Sequence, residues 1–159
     1  LYWPSPPAVP VIKYEGVLGA TAPSAFGDDR PALQLMKPYG VTVSGGRVFV
    51  TDLYYKSVLV FTPRNGSVAA FGRGELRVPM SILAAGRHLY VADSFLNRVM
   101  VFREGRLAKW FGSEVLRKPV GLAIDEKGRI YVSSAMSHRI EVFSADGTHL
   151  FGFGKKGDG

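Results

Sequence analysis

Residues Lys118 to Gly154 read KPVGLAIDEKGRIYVSSAMSHRIEVFSADGTHLFGFG, and this stretch decides the fold because two earlier stretches of the chain repeat its pattern. The earlier copies read KPYGVTVSGGRVFVTDLYYKSVLVFTPRNGSVAAFG, Lys37 to Gly72, and VPMSILAAGRHLYVADSFLNRVMVFREGRLAKWFG, Val78 to Gly112. Anchors recur every 40 or 41 residues: Pro38, Pro79 and Pro119; Phe49, Tyr90 and Tyr131; Phe61, Phe102 and Phe143; Phe71-Gly72, Phe111-Gly112 and Phe151-Gly152. A fixed period of this length indicates a repeat architecture.

Each copy contains four short runs of β-branched, aromatic and other apolar residues, separated by turns that contain glycine or polar residues. The dipeptides Asn65-Gly66 and Asp146-Gly147 are hairpin signals because these residues accept a positive φ at low cost. We therefore predict an all-β chain in which each copy forms one four-stranded antiparallel sheet. Four-stranded units at this period are typical of β-propeller blades, with a tandem β-sandwich as the weaker alternative.

The three copies resemble the NHL repeat. In the third copy the matching residues are Pro119, Gly121, Gly128, Tyr131, Val132, His138, Arg139, Ile140, Val142, Phe143, Gly147 and Phe151-Gly152. In the second copy they are Tyr90, Val91, Asp93, Asn97, Arg98, Val101 and Phe102, and in the first Pro38, Gly40, Asp52 and Phe61. The first copy departs from the pattern with Lys56-Ser57, and the third with Ser134 in place of the aspartate. The resemblance implies a propeller scaffold, which serves many functions.

The repeats predict the domain organisation. Residues 1–36 are expected to form a Pro-rich leader, an isolated strand over Val9 to Leu18 and a connector. Blades are expected at 37–72, 78–112 and 118–154, with 155–159 as a connector to a missing blade. About 4 to 8 blades are needed to close a propeller, and propellers of the NHL kind usually have six. We therefore expect either a fragment of a longer propeller or a homodimer that completes a six-bladed ring.

Composition excludes several classes of protein. The chain has no cysteine, which excludes disulfides, thiolate zinc sites and cysteine nucleophiles. No apolar run approaches the roughly 18 residues of a spanning helix, so no membrane span is expected. The net charge of +7 favours anionic partners, but clustered basic runs and nucleic-acid motifs are missing, so a solvated basic rim is favoured over nucleic-acid binding. For localisation, a bacterial envelope or periplasm is favoured slightly over the cytoplasm.

The turns between second and third strands carry the candidate binding site. These turns and the connectors between blades should share one rim, which we call the top rim. Turns usually carry Gly, Asn, Asp or Ser, whereas these carry large apolar residues that either bind a partner or fold back over the neighbouring blade. Tyr39 and Met80 should lie near the channel mouth, where ordinary packing is the favoured interpretation. The candidate binding residues are Tyr39, Tyr54, Tyr55, Met80, Phe95, Leu96, Arg98, Met136, His138 and Arg139.

Recurring polar residues have a structural interpretation. Asp52 and Asp93 end second strands, where a carboxylate can accept backbone N–H groups of the turn or pair with the arginine that follows. A catalytic residue would normally occur once rather than in each repeat. The three histidines are expected on different faces, so they do not predict a zinc site.

The favoured function is a non-catalytic module that binds a protein partner or small ligand through the top rim. No catalytic residue, cofactor or metal is predicted. One alternative is a fragment of a propeller enzyme of the metal-dependent lyase or lactonase type, because missing blades could supply the ligands. A second alternative is RNA binding on a basic face, where aromatics lie between arginines.

Overall fold

The computed structural model describes residues 35–157 and two short strands near the N-terminus, β1 (Tyr2–Trp3) and β2 (Ile12–Lys13). These two strands pair in antiparallel fashion. The strand expected over Val9 to Leu18 lies outside the described residues except for Ile12–Lys13, and this part is paired rather than isolated. The rest of the expected leader and connector also lies outside them.

Three four-stranded antiparallel sheets follow, one for each repeat. The first blade comprises β3 (Pro38–Ser44), β4 (Arg47–Asp52), β5 (Ser57–Thr62) and β6 (Ser67–Phe71). The second comprises β7 (Pro79–Ala85), β8 (His88–Asp93), β9 (Arg98–Arg103) and β10 (Arg106–Phe111). The third comprises β11 (Pro119–Ile124), β12 (Ile130–Ser134), β13 (Arg139–Phe143) and β14 (His149–Phe153), with a short 3-10 helix at Ala135–Ser137. The predicted all-β architecture is confirmed.

Both faces of each blade are apolar, because alternate residues of a strand point to opposite faces. In β5, Val58 and Val60 join the core between the first and second blades, whereas Leu59 and Phe61 point the other way. We call the face toward the following blade the forward face and the opposite one the rear face. The forward face of the second blade packs in the same way on the rear face of the third.

The inner edges of the blades lie close together, since β3 contacts β7 and β7 contacts β11. Gly40 shows how close the approach is: a Cβ added there would lie 2.8 Å from the carbonyl oxygen of Met80. A side chain at this position would therefore push the two inner strands apart. The blades converge along their first strands, as predicted for sheets around a common axis.

An aromatic pair links each blade to the next one. Phe71 lies with its ring centroid 5.0 Å from that of Phe102, and Phe111 lies 4.9 Å from Phe143. In both cases a residue at the end of the outer strand packs on the third strand of the following blade. Tilted aromatic pairs at these distances stabilise a core beyond the area that they bury.

The repeat register differs from the sequence prediction at the end of the third blade. The spacing of 40 residues predicts that Phe151-Gly152 is equivalent to the earlier Phe-Gly pairs, but in the structure the equivalent pair is Phe153-Gly154. Phe153 pairs with Ile140 in the same way as Phe111 pairs with Val99. Gly154 has a φ of 99°, close to the 92° of Gly112, whereas Gly152 is not among the positive-φ glycines. The second and third blades have a bulge at the same place, but the turn before the last strand is one residue longer in the third blade, so the equivalent residues Phe111 and Phe153 are 42 positions apart.

The two outward-facing sides of the three-blade array differ. On the rear face of the first blade, Val50, Leu59 and Phe61 are buried. On the third blade, Phe151 and Phe153 are exposed. The forward face of the third blade is therefore the open end of the array.

Pairing of two copies into a ring stays a prediction. It would place the open end of one copy against the rear face of the other, whose apolar residues are already buried. If the ring forms, light scattering should give twice the mass of one chain, and Phe153→Asp should halve that mass because a charge would be buried in the joint. A single-chain mass for the wild-type protein would refute the homodimer.

Candidate functional site

The connectors and turns of the top rim are held together by buried carboxylates. Asp93 accepts hydrogen bonds from the backbone N–H groups of Arg77 at 2.6 Å and Val78 at 3.1 Å, which belong to the preceding connector. It also accepts bonds from Phe95 at 3.1 Å and Leu96 at 3.0 Å, which belong to the turn. One side chain therefore fixes two segments relative to each other. The prediction that this aspartate accepts backbone N–H groups is confirmed.

Asp52 has the same role in the first blade. Its carboxylate accepts bonds from the backbone N–H groups of Met36, Lys37, Tyr54 and Tyr55. Both aspartates are fully buried. In the third blade Ser134 takes this position, and its hydroxyl accepts a bond from the Arg117 N–H at 2.7 Å. The serine thus preserves the bond to the connector, but within residues 35–157 its side chain accepts no hydrogen bond from a backbone N–H of the turn.

The turn between the second and third strands of each blade presents one large apolar residue to solvent. Tyr54, Phe95 and Met136 occupy the same repeat position and are 60%, 69% and 71% exposed. We call these three residues the apolar row. Because three equivalent turns carry them, they lie on the same rim of successive blades. Exposed side chains of this size at matching positions are features of an interaction surface.

The residue after each of the first two members of the apolar row packs inward. Tyr55 lies against the cluster on the rear face of the first blade, and Leu96 lies against the core between the first and second blades. The rings of Tyr54 and Tyr55 meet edge to face at 5.1 Å. Each of the two interpretations therefore applies to a different residue of the turn. The first residue is exposed and could contact a partner, and the second folds back against a neighbouring core.

The last turn position requires a left-handed backbone. Lys56, Asn97 and His138 have φ values of 52°, 54° and 57°. Asparagine and histidine are enriched in this conformation among residues other than glycine, which is consistent with Asn97 and His138 at this position. The Asn97 carboxamide oxygen also accepts a hydrogen bond from the Lys118 N–H at 2.7 Å, and it thereby links the turn to the next connector. His138 is exposed on the rim.

The two candidate arginines are engaged within their own blades. The guanidinium carbon of Arg98 lies 3.8 Å from the ring centroid of Trp110, a cation–π contact. Arg139 donates from Nε to Glu141 at 2.8 Å and from Nη1 to the Gly154 carbonyl at 3.1 Å. These contacts hold both side chains along the outer strands, and they argue against a continuous basic and aromatic track on the top rim.

The two candidates near the inner edge differ in exposure. Tyr39, at the start of β3, is exposed, whereas Met80, at the equivalent position of β7, is half-buried between the inner strands. Tyr39 therefore extends the accessible apolar surface toward the inner edge of the first blade, and Met80 contributes mainly to packing.

The histidines are dispersed over the structure. His88 begins β8, His138 follows the 3-10 helix and His149 begins β14. Within residues 35–157, no group of three or more His, Asp or Glu side chains is placed to hold a metal ion. The same part of the chain contains no helix long and apolar enough to cross a bilayer.

Glu141 is a carboxylate buried on the rear face of the third blade, and the sequence pattern does not predict it. It replaces the apolar Met100 of the second blade, since both residues occupy the same position of the third strand. Arg139 and His149 each lie 2.8 Å from one of its oxygens. Gly152 makes room for this group, because a Cβ there would meet the carboxylate. Within this cluster the Glu141 carboxylate is paired with Arg139 and hydrogen-bonded to His149, so we interpret the cluster as structural.

Comparison with known proteins establishes the fold. No protein-family model matches the chain. Solved structures that resemble it include virginiamycin B lyase from Staphylococcus aureus, with a TM-score of 0.64 and 17% identity over 78% of this chain and 43% of that one. A streptogramin B lyase gives a TM-score of 0.66 and 17% identity over 89% of this chain and 45% of that one. The fold is a β-propeller.

Two further proteins are similar to this chain, and the similarity covers very different shares of their lengths. A chain in a nidogen/laminin complex is similar with a TM-score of 0.61 and 23% identity, over 72% of this chain and 48% of that one. The Drosophila melanogaster protein brain tumor is 24% identical over 131 residues, which are 76% of this chain and 13% of that protein. The chain thus spans less than half the length of each of these four proteins.

Proposed function

We propose that this propeller segment is a non-catalytic interaction module that binds a protein partner, or a small ligand, through the apolar row of the top rim. The observation that carries the proposal is the exposure of Tyr54, Phe95 and Met136 at one repeat position. The buried aspartates beneath Tyr54 and Phe95 hold the backbone of those turns. Tyr54 and Phe95 are therefore presented on a fixed backbone, which lowers the entropy lost on binding.

The similarity to a chain of a nidogen/laminin complex is consistent with this proposal, because that chain carries the same fold within a protein complex. A propeller enzyme of the lyase type is the second candidate, and its support is the two lyases of similar fold. Residues 35–157 provide no convergent set of metal-binding side chains for it. A binding module is therefore the function that these residues support best.

The proposal predicts that Phe95→Ser and Tyr54→Ser leave folding intact while they abolish binding at the top rim. A displayed peptide library selected against the wild-type protein supplies the probes. We expect most selected peptides to bind each variant at least about tenfold more weakly, because a hot-spot aromatic contributes about 2 kcal/mol or more. Unfolding free energies should change by about 0.5 kcal/mol or less.

The matched control is Leu150→Ser, which removes an exposed apolar side chain from the outer strand β14 instead of the top rim. Peptides selected on the wild-type protein should bind this variant normally. If they lose affinity for Leu150→Ser but not for Phe95→Ser, the binding surface lies elsewhere and the proposal fails.

A further inference from the structure

A groove of about 710 Å³ opens between the first and second blades on the rim opposite the top rim. Three turns form its mouth: the turn from β3 to β4, the turn from β7 to β8, and the turn from β9 to β10. Arg87 lies in the second of these turns, and Arg47 and Arg106 begin β4 and β10 directly after the other two. The floor is apolar and includes Phe49, Val60, Phe71 and Leu89. The groove therefore combines a cationic mouth with an apolar base.

The three arginines are available for a ligand. Their side chains are exposed, and within residues 35–157 none of them forms an ion pair or a side-chain hydrogen bond. The guanidinium carbon of Arg47 lies 5.3 Å from the centroid of the Phe49 ring, which orients it at the groove. Among residues 35–157, the other ionisable groups that line the cavity are His88 and one carboxylate, Glu104.

The mouth of the groove is sterically open. Gly45 and Gly86 belong to the turns that bound it, and a Cβ added at either glycine would meet no atom within 4 Å. Both have positive φ values, of 56° and 59°, so the turns depend on glycine. Small residues at these positions leave the arginines accessible.

We propose that this groove binds a phosphorylated small molecule that carries two or more phosphate groups. A guanidinium donates two parallel hydrogen bonds to phosphate oxygens, and three unpaired guanidiniums around one cavity repel each other until an anion neutralises them. This site is separate from the apolar row, and the proposal does not depend on the function proposed above.

The charges on the third blade favour a small ligand over a nucleic acid. The corresponding turns of that blade carry Asp125, Glu126 and Asp146 together with Lys127 and Arg129, a net charge of −1, and Arg129 is paired with Asp125. Desolvation alone would raise the pKa of Asp125, but hydrogen bonds from Arg129 and Tyr131 outweigh it and lower this pKa. A polyanionic chain that continued along the rim would therefore meet carboxylates. Arg129, the arginine of the third blade at this rim, is ion-paired, whereas the arginines of the groove belong to the first two blades and form no ion pair within residues 35–157.

Titration calorimetry with inorganic pyrophosphate tests the proposal. We expect saturable binding to the wild-type protein and roughly tenfold weaker binding to Arg87→Gln and to Arg106→Gln, since each loses a charge-assisted contact. Arg64→Gln is the matched control: it removes the same charge from an exposed position on the same rim, outside the groove. Glu104→Gln should bind more tightly, because it removes the carboxylate that repels the anion.

Three results would overturn the proposal. The first is no pyrophosphate binding by the wild-type protein. The second is equal weakening by Arg64→Gln and Arg87→Gln, which would indicate diffuse attraction instead of a site. The third is tight, salt-sensitive binding of single-stranded RNA that the groove variants abolish while pyrophosphate competes poorly, which would indicate a nucleic-acid surface. A nucleoside diphosphate that binds more tightly than pyrophosphate would support the groove, with the apolar floor contacting the organic group.

Discussion

Replacing Asp93 with alanine is expected to destabilise the protein by about 3–5 kcal/mol, the largest effect of any single polar substitution proposed for this chain. The fully buried carboxylate accepts bonds from four backbone N–H groups that belong to two separate segments. Alanine would leave these donors without an acceptor at the junction between two blades. Urea denaturation monitored by circular dichroism measures the loss as a lower midpoint at an unchanged slope.

The third blade supplies the control for this experiment. Ser134 occupies the equivalent position and bonds to the N–H of Arg117. Asp93→Ser should therefore lose about half as much stability as Asp93→Ala, because a hydroxyl can still satisfy one or two of the donors. Glu126→Ala removes an exposed carboxylate from a turn and should change stability by no more than about 0.5 kcal/mol. Equal losses for Asp93→Ala and Glu126→Ala would show that the carboxylate does not join the two segments.

Phe111→Ala and Phe153→Ala should have very different effects although the two residues are equivalent in the repeat. Phe111 is 7% exposed and packs on Phe143, so its removal should cost about 3–5 kcal/mol through lost transfer free energy and a cavity. Phe153 is 51% exposed at the open end of the array, so its removal should cost about 1 kcal/mol or less. Thermal and urea unfolding of both variants measure the difference.

The comparison also tests whether the forward face of the third blade is covered in solution. A loss for Phe153→Ala as large as that for Phe111→Ala would mean that another surface buries this ring. In that case the variant should also lower the mass measured by light scattering. A small loss together with an unchanged mass would show that the open end stays free.

The fold was predictable because its signals are local and repeated. Each strand carries its own alternation, and the anchors Pro38, Pro79 and Pro119 recur in one register. The predicted equivalence of residues was wrong in the segment Phe151 to Gly154, which contains two consecutive Phe-Gly pairs. A sequence period cannot choose between them. The choice depends on the length of the turn that leads into β14 and on which glycine has a positive φ.

The candidate site was less predictable. The sequence predicts the same role for Tyr54 and Tyr55, yet the Tyr54 ring is exposed and the Tyr55 ring packs on the neighbouring cluster. Which ring is exposed depends on how the turn lies against that cluster. The basic groove had a signal in the dipeptides Gly46-Arg47, Gly86-Arg87 and Gly105-Arg106. Their convergence on one cavity depends on the packing of two blades, which a linear pattern does not show.

The exchange of aspartate for serine at the start of the third turn has a consequence for dynamics. Asp93 fastens both the connector and the turn at the junction of the first two blades, whereas Ser134 bonds to the connector at the next junction. The opening free energy should therefore fall from one junction to the next along the chain. Local unfolding, and with it amide hydrogen exchange, would begin at the third blade and leave the first two assembled.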